Sequence, residues 1–327
     1  MFLKPFIKTP IFLVFLLLCG CASVAVEWPD GQITFHVLDD SGKSLANIPV
    51  DTVVFDRSKP PATYKVITST TDMHGLAVVA APNISKEYSY TVRNLAGYYS
   101  SGGLYQFHTS ANGRWLPWNP EIEIILKPIG NRVPMYAKKV WQASLPEKDK
   151  PIGYDLVMGD WVAPYGKGGT NDLIFTLKRQ FTSVTQDFNA TLVLTFQNDG
   201  DGIQSVMTDK SGSTFRIPRS APPDGYESKL ILQMRREKGK PITGVFADPR
   251  QNYFFRVRAK TDGQGNIVGA LYGKIYGGVG WDIFHSPTAH LHFAYYLNPK
   301  PDSRNMEFDP SQNLFKKLGS LERIYEP

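Results

Sequence analysis

Cysteine is nearly absent from this chain: its 327 residues hold only Cys19 and Cys21, both close to the amino end. Beyond them there is no thiol to act as a nucleophile and no disulfide to staple the fold. The rest of the chain must be held by its apolar core. Long apolar runs are missing too. The best of them, Ile11 to Leu18, falls short of the roughly 20 apolar residues that a membrane-spanning helix needs. No long stretch of 3.6-residue periodicity occurs, so a helical architecture has no support. No fixed period marks a repeat array. The G-x-S-x-G elbow and the G-x-x-x-x-G-K-[ST] loop are both lacking, which removes the local signatures of two large enzyme classes.

What is present is aromatic and turn-rich. Sixteen Tyr, 19 Phe, 28 Gly and 24 Pro accompany short Val/Ile/Thr-rich runs bounded by Gly, Asn, Asp and Pro, the signature of an all-β protein. The formal net charge is +6, and +4 once Lys4 and Lys8 are set aside. That mild, dispersed balance gives nucleic acid no footprint. Some 300 residues suffice for two domains with cores of their own.

Lys4 and Lys8, the apolar run and the small Gly20 follow the order of a secretory signal. Leu18-Cys19-Gly20-Cys21 resembles the lipobox of bacterial lipoproteins. The resemblance implies cleavage after Gly20, a diacylglyceryl group on the Cys21 sulfur, and a membrane partner reached through that anchor. Ala22 in place of aspartate implies sorting to the outer membrane.

Alternating residues predict strands at Ile33–Leu38, Ile48–Phe55, Leu76–Val79, Tyr88–Val92 and Glu121–Lys127, with turns at Asp39-Asp40-Ser41-Gly42 and Thr71-Asp72-Met73-His74-Gly75. Val37, Gly42-Lys43-Ser44-Leu45, Pro49-Val50, the Thr71–Gly75 turn, Tyr90-Thr91-Val92 and Gly97-Tyr98 occur in an order that resembles the carboxypeptidase regulatory-like domain. The resemblance implies a small transthyretin-like β-sandwich without catalytic residues. Ser100 to Pro120 departs from it, as a long Gly- and aromatic-rich insertion. Residues 129–151, with three prolines and a charged run, read as a linker, although Met135 to Leu145 has strand character. Further strands are predicted at Tyr154–Val157, Asp172–Lys178, Ala190–Phe196, Lys229–Met234, Tyr253–Ala259, Ile267–Tyr276 (broken by Gly269 and Gly273) and His290–Leu297. Leu314, Phe315, Leu318 and Leu321 suggest a short helix within a tail that packs on the second domain.

The expected plan is thus all-β, with two β-sandwich-like domains after a cleaved lipoprotein signal peptide. Its segments are a signal over 1–20, a sandwich over 32–128, a linker over 129–151, a second β-rich domain over 152–297 and a tail over 298–327. His285, His290 and His292 invite a metal reading, but flank an ordinary strand without a fixed carboxylate. Asn198-Asp199-Gly200-Asp201-Gly202 lacks the glutamate of a calcium loop and reads as a turn. Gly166-Lys167-Gly168-Gly169-Thr170 reads as a flexible loop. No catalytic residue, metal or cofactor is expected. The candidate ligand-binding residues are Tyr105, Trp115 and Trp118 in the insertion, because exposed rings stack on sugars and anchor protein interfaces. The function expected is a non-enzymatic envelope lipoprotein with a structural or binding role, its partner an envelope protein or a glycan. The alternatives are a carbohydrate- or peptidoglycan-acting enzyme and a glycan-binding accessory lipoprotein of a polysaccharide-uptake system.

Overall fold

The computed structural model describes residues 28–56, 63–208, 212–244, 248 and 250–327. The signal segment and Cys21 lie outside the described residues. Nine strands make up the first half: β1 (Asp30–Asp39), β2 (Pro49–Asp56), β3 (Thr63–Thr70), β4 (Leu76–Pro82), β5 (Glu87–Val92), β6 (Ser101–Gln106), β7 (Thr109–Ala111), β8 (Arg114–Leu116) and β9 (Glu121–Leu126). They form two sheets, β4-β1-β8-β7 with β9 also on β1, and β3-β2-β5-β6. Ile33, Phe35, Val37, Val50, Val54, Val79, Tyr88, Ile124 and Leu126 are buried between them. The period of two turns one face of each strand to this core, which is why the alternating runs folded as they read.

The expected insertion is itself structured, since β6, β7 and β8 all lie within it. Its glycines serve close packing. A Cβ at Gly102 would lie 2.4 Å from the Tyr90 carbonyl oxygen, and one at Gly103 would lie 2.6 Å from the Tyr90 hydroxyl. Glycine lets β6 pair beside β5 under the Tyr90 side chain and close to its backbone.

Eleven strands build the second half: β10 (Tyr136–Ser144), β11 (Pro151–Asp155), β12 (Asp160–Trp161), β13 (Leu173–Gln180), β14 (Phe188–Thr195), β15 (Gly202–Met207), β16 (Lys229–Arg236), β17 (Thr243–Gly244), β18 (Gln251–Thr261), β19 (Ile267–Asp282) and β20 (His290–Leu297). A five-stranded sheet, β10-β20-β19-β18-β15, faces a six-stranded one, β12-β11-β13-β14-β16-β17. Phe175, Leu177, Leu192, Phe255, Ile275, Leu291 and Tyr295 are buried between them. The fold class is therefore all-β, as the composition implied.

Three expectations need correction. Residues 129–151 are no free linker, because β10 pairs with β20 from Tyr136↔Leu297 to Ser144↔His290. Met135, Ala137 and Val140 are buried, so apolar alternation outweighs the surrounding prolines. β19 is unbroken by Gly269 and Gly273 and runs for 16 residues. At Gly273 a Cβ would meet the Phe255 ring at 2.1 Å, so glycine there makes room for a neighbouring side chain. The tail forms no α-helix; its one helical turn is the 3-10 segment Pro310–Gln312. Its backbone is drawn out along β10 instead. Asn313 Nδ2 donates to the Ala137 carbonyl at 2.7 Å, and Leu314 N–H donates to Met135 O at 2.9 Å. Met306, Phe308 and Ile324 thereby cover the outer face of the five-stranded sheet, against Phe254, Tyr272, Tyr276 and Tyr296.

The halves meet at the end of the first sandwich that holds the β1–β2 turn and the end of β9. Tyr99 stacks on Phe215 with ring centroids 5.1 Å apart. Glu307, whose side chain is 3% exposed, pairs with Arg219. It also accepts from the Tyr99 hydroxyl at 3.0 Å and from Gly130 N–H at 2.8 Å. Lys127 Nζ donates to the Phe215 carbonyl at 2.9 Å.

Candidate functional site

The three rings expected to bind a ligand differ in exposure, and only Trp118 is exposed. Tyr105 and Trp115 are half-buried against the first core. Tyr105 meets Phe107 edge-on at 5.0 Å, and Trp115 stacks on Phe107 at 6.5 Å. Trp115 Nε1–H donates to the Asn83 carbonyl at 3.0 Å, so its one polar atom has a structural partner. Trp118 is exposed, with the Arg114 guanidinium 4.6 Å above its ring. Trp115→Ala is expected to cost about 2–3 kcal/mol, a fraction of the full core-aromatic penalty, whereas Trp118→Ala should stay within about 0.5 kcal/mol. Urea denaturation of the two variants checks this.

The other motifs find structural roles. Gly169 and Thr170 N–H groups donate to Asp155 at 3.0 and 3.1 Å, and Lys167 N–H donates to Asp160 at 2.9 Å. Three amides of the glycine loop are thus taken up by the protein's own carboxylates, and Gly168 N–H donates to the Trp161 carbonyl at 2.8 Å. In the turn after β14, Asp201 accepts from Asn198 Nδ2 at 2.9 Å and from Ala259 N–H at 2.7 Å. Burial pushes its pKa up against these bonds. His285 is bound to Asp282 at 2.7 Å, and His292 Nδ1 accepts from Gln142 N–H at 3.2 Å. Among the described residues, no three His, Cys, Asp or Glu side chains group as metal ligands. Nor is any described helix long and apolar enough to cross a membrane.

A different surface stands out, and it arises from strand register. On β2, Val50, Thr52 and Val54 are buried, so Val53 and Phe55 face outward. Opposite them on β3 stand Val66 and Tyr64. Val53 also pairs with Ser89, and Ser89 with Leu104. An apolar strip of Val66, Val53 and Leu104 therefore crosses the open face of the sheet, with Tyr64 edge-on to Phe55 at 5.2 Å beside it. Tyr64 is 76% exposed, Leu104 58% and Val66 51%. Val53, Phe55, Tyr64 and Leu104, together with Ile84 and Ser85, line a shallow depression of about 550 Å³. Ser89 stands between Val53 and Leu104, and exposed apolar side chains gathered in this way mark a candidate interaction site.

The β3 edge of the same sheet is guarded. Lys65 lies opposite the buried Val54, so an exposed lysine occupies the core-facing side of edge strand β3. An inward-pointing charge on an edge strand obstructs pairing with another strand. The face of the sheet is therefore more available to a partner than its β3 edge.

A buried cluster lies in the second half, beside its junction with the first. Lys274 on β19 is fully buried. Its Nζ donates to Tyr276 Oη at 2.9 Å, Met306 O at 2.7 Å and Pro327 O at 3.1 Å. The rings of Tyr276, Tyr296 and Phe215 stand 4.3, 4.4 and 5.1 Å from the nitrogen. Burial pushes the amine well below the ordinary lysine value, and the charge of Glu307 opposes that shift. With every proton directed at an oxygen, the group fastens the tail to β19. Nothing in the sequence around Gly273-Lys274-Ile275 flagged it, because an isolated lysine in an apolar strand carries no motif.

No family model matches the chain, and no curated protein matches it. Among solved structures, that of BcpA, the major pilin subunit of Bacillus cereus, aligns over 81% of this chain and 95% of that one, at 10% identity and a TM-score of 0.22. At that score, neither fold nor function is inferred from the likeness.

Proposed function

We propose that this chain is a non-enzymatic protein of the cell envelope, held at the outer membrane by lipid on Cys21, with a binding or structural role. The observation that carries the binding role is the apolar strip Val66, Val53 and Leu104 on the open face of the first sandwich, with Tyr64 and Phe55 beside it. Its exposure is a cost to a free protein and a gain to one that meets a partner there. The lipobox-like Leu18–Cys21 segment supplies the membrane attachment. The buried ionisable groups favour the same reading, since Asp155, Asp172, Glu307 and Lys274 all hold structural partners.

The anchor is tested by growing cells with a fatty-acid probe. The wild-type chain should take up label, and Cys21→Ser should lose it and leave the membrane fraction or remain unprocessed. Label retained by Cys21→Ser would remove the lipoprotein reading. Incubation with peptidoglycan or polysaccharide tests the rest, since release of soluble fragments by the purified protein would overturn the non-enzymatic role.

A further inference from the structure

We infer that the apolar corner formed by Phe55, Tyr64, Val66, Ile84 and Leu104 docks on a lipid bilayer surface, leaving the second half of the molecule displaced from the membrane. The inference rests on the lipid anchor proposed for Cys21 and names the partner of the open sheet face.

Its starting point is the place where the chain enters the fold. Pro29 O accepts a hydrogen bond from Asn83 N–H at 3.2 Å. The same Asn83, 1% exposed, accepts from Phe55 N–H through its side chain at 2.9 Å. One buried asparagine thus ties the entering segment to the strand that carries the corner. Ile84 follows it directly in sequence, and Tyr64 packs against Phe55. The entry point and the apolar corner share one end of the sandwich.

Tether length then limits where that end can be. Seven residue steps separate Cys21 from Trp28. At no more than about 3.6 Å each they reach at most roughly 25 Å. A lipid on Cys21 therefore holds this end of the sandwich within about 25 Å of the headgroups. The second half is attached at the opposite end, through Asp40, Tyr99, Lys127 and Gly130. β1 runs between the two ends for ten residues, or roughly 33 Å at strand rise.

The chemistry of the corner suits an interface. Tyrosine places an apolar ring and a polar tip at the boundary between acyl chains and water, and Val66, Leu104 and Ile84 add apolar area. Nearby charges are mixed: Lys65, Lys86 and Arg114 stand against Asp30 and Glu87, all exposed. Apolar contact is therefore the main attraction, and docking should survive about 1 M salt, where screening acts within about 3 Å.

The scarcity of cysteine makes the test direct. In the anchored protein Cys19 has been removed and Cys21 blocked, so one introduced cysteine is unique. Leu104→Cys carrying an environment-sensitive dye should shift to the blue and be quenched by brominated acyl chains in vesicles of phosphatidylethanolamine and phosphatidylglycerol. Met73→Cys, 80% exposed in the turn at the far end, should keep a water-like spectrum. Water-like spectra at both positions, with the lipid shown to be on Cys21, would overturn the docking and leave the anchor standing. Absence of the lipid with the Leu104 signal retained would overturn the anchor alone. A Leu104 shift that needs no vesicles and grows with protein concentration would assign the corner to a second copy of the chain, and the inference would fall.

Discussion

Asp172→Ala is expected to lower folding stability by roughly 3–5 kcal/mol, the usual result of breaking a buried ion pair from one side. The Asp172 side chain is fully buried. It receives Arg258 Nε at 2.8 Å and Nη2 at 2.9 Å, together with Leu156 N–H at 2.9 Å. Its removal strands the Leu156 amide and leaves the guanidinium to Asp155 alone, at 3.3 Å. Against a total of about 5–15 kcal/mol, such a loss shows in any urea or thermal melt. A loss below about 1 kcal/mol would mean that water replaces the carboxylate. The site also has an acid dependence. Burial opposes ionisation of Asp155, yet N–H groups of Met158, Gly169, Thr170 and Val157 hold its pKa below the ordinary value. A carboxyl depressed in the folded state contributes stability above its unfolded pKa of about 3.9 and loses it as pH falls through the folded value. The wild-type protein should therefore weaken on acidification below about pH 4, and Asp155→Asn should flatten that decline.

The second large effect is expected at Lys274. Lys274→Ala leaves a cavity and removes the donor from Tyr276, Met306 and Pro327. Together these should cost roughly 3–5 kcal/mol, by the measure of large-to-small core changes and orphaned polar atoms. Lys274→Met keeps much of the volume, so it should cost less. A pH titration separates charge from packing. An amine depressed in the folded state binds fewer protons there than in the unfolded chain, so stability rises with pH from the folded pKa to about 10.4. Tyr276 and Tyr296 act in the opposite sense. Burial raises both, and they weaken the fold once unfolded tyrosine ionises near pH 10. The wild type should thus gain stability on the alkaline side before losing it, while Lys274→Met shows only the loss. Parallel pH profiles for the two proteins would mean that Lys274 titrates alike in both states.

Much of the architecture was legible because it follows from a period of two. Ile33–Leu38, Tyr88–Val92 and Glu121–Lys127 alternate, and the structure places strands on each of them. Missed elements were those whose local chemistry points elsewhere. β6 opens Ser101-Gly102-Gly103, and glycine argues against a strand until the Tyr90 packing it permits is seen. The tail follows the same rule in reverse. Leu314, Phe315, Leu318 and Leu321 have helical spacing, but a segment this short gains little as an isolated helix and more by bonding along β10 through Asn313.

The sequence by itself determined that the protein would be all-β, free of disulfides beyond its amino end, and built from short alternating strands, because composition and period act locally. Tertiary structure alone decided which residues became a surface. Val53 and Phe55 alternate with Val50, Thr52 and Val54, and only the position of the facing sheet determines which set is buried. Only the fold brings Asn83 against Pro29 and Phe55, or Met306 and Pro327 against Lys274. Hydrogen bonds and apolar contacts reach only a few ångström, so residues far apart in the chain become partners only when sheet register and packing bring them within that range.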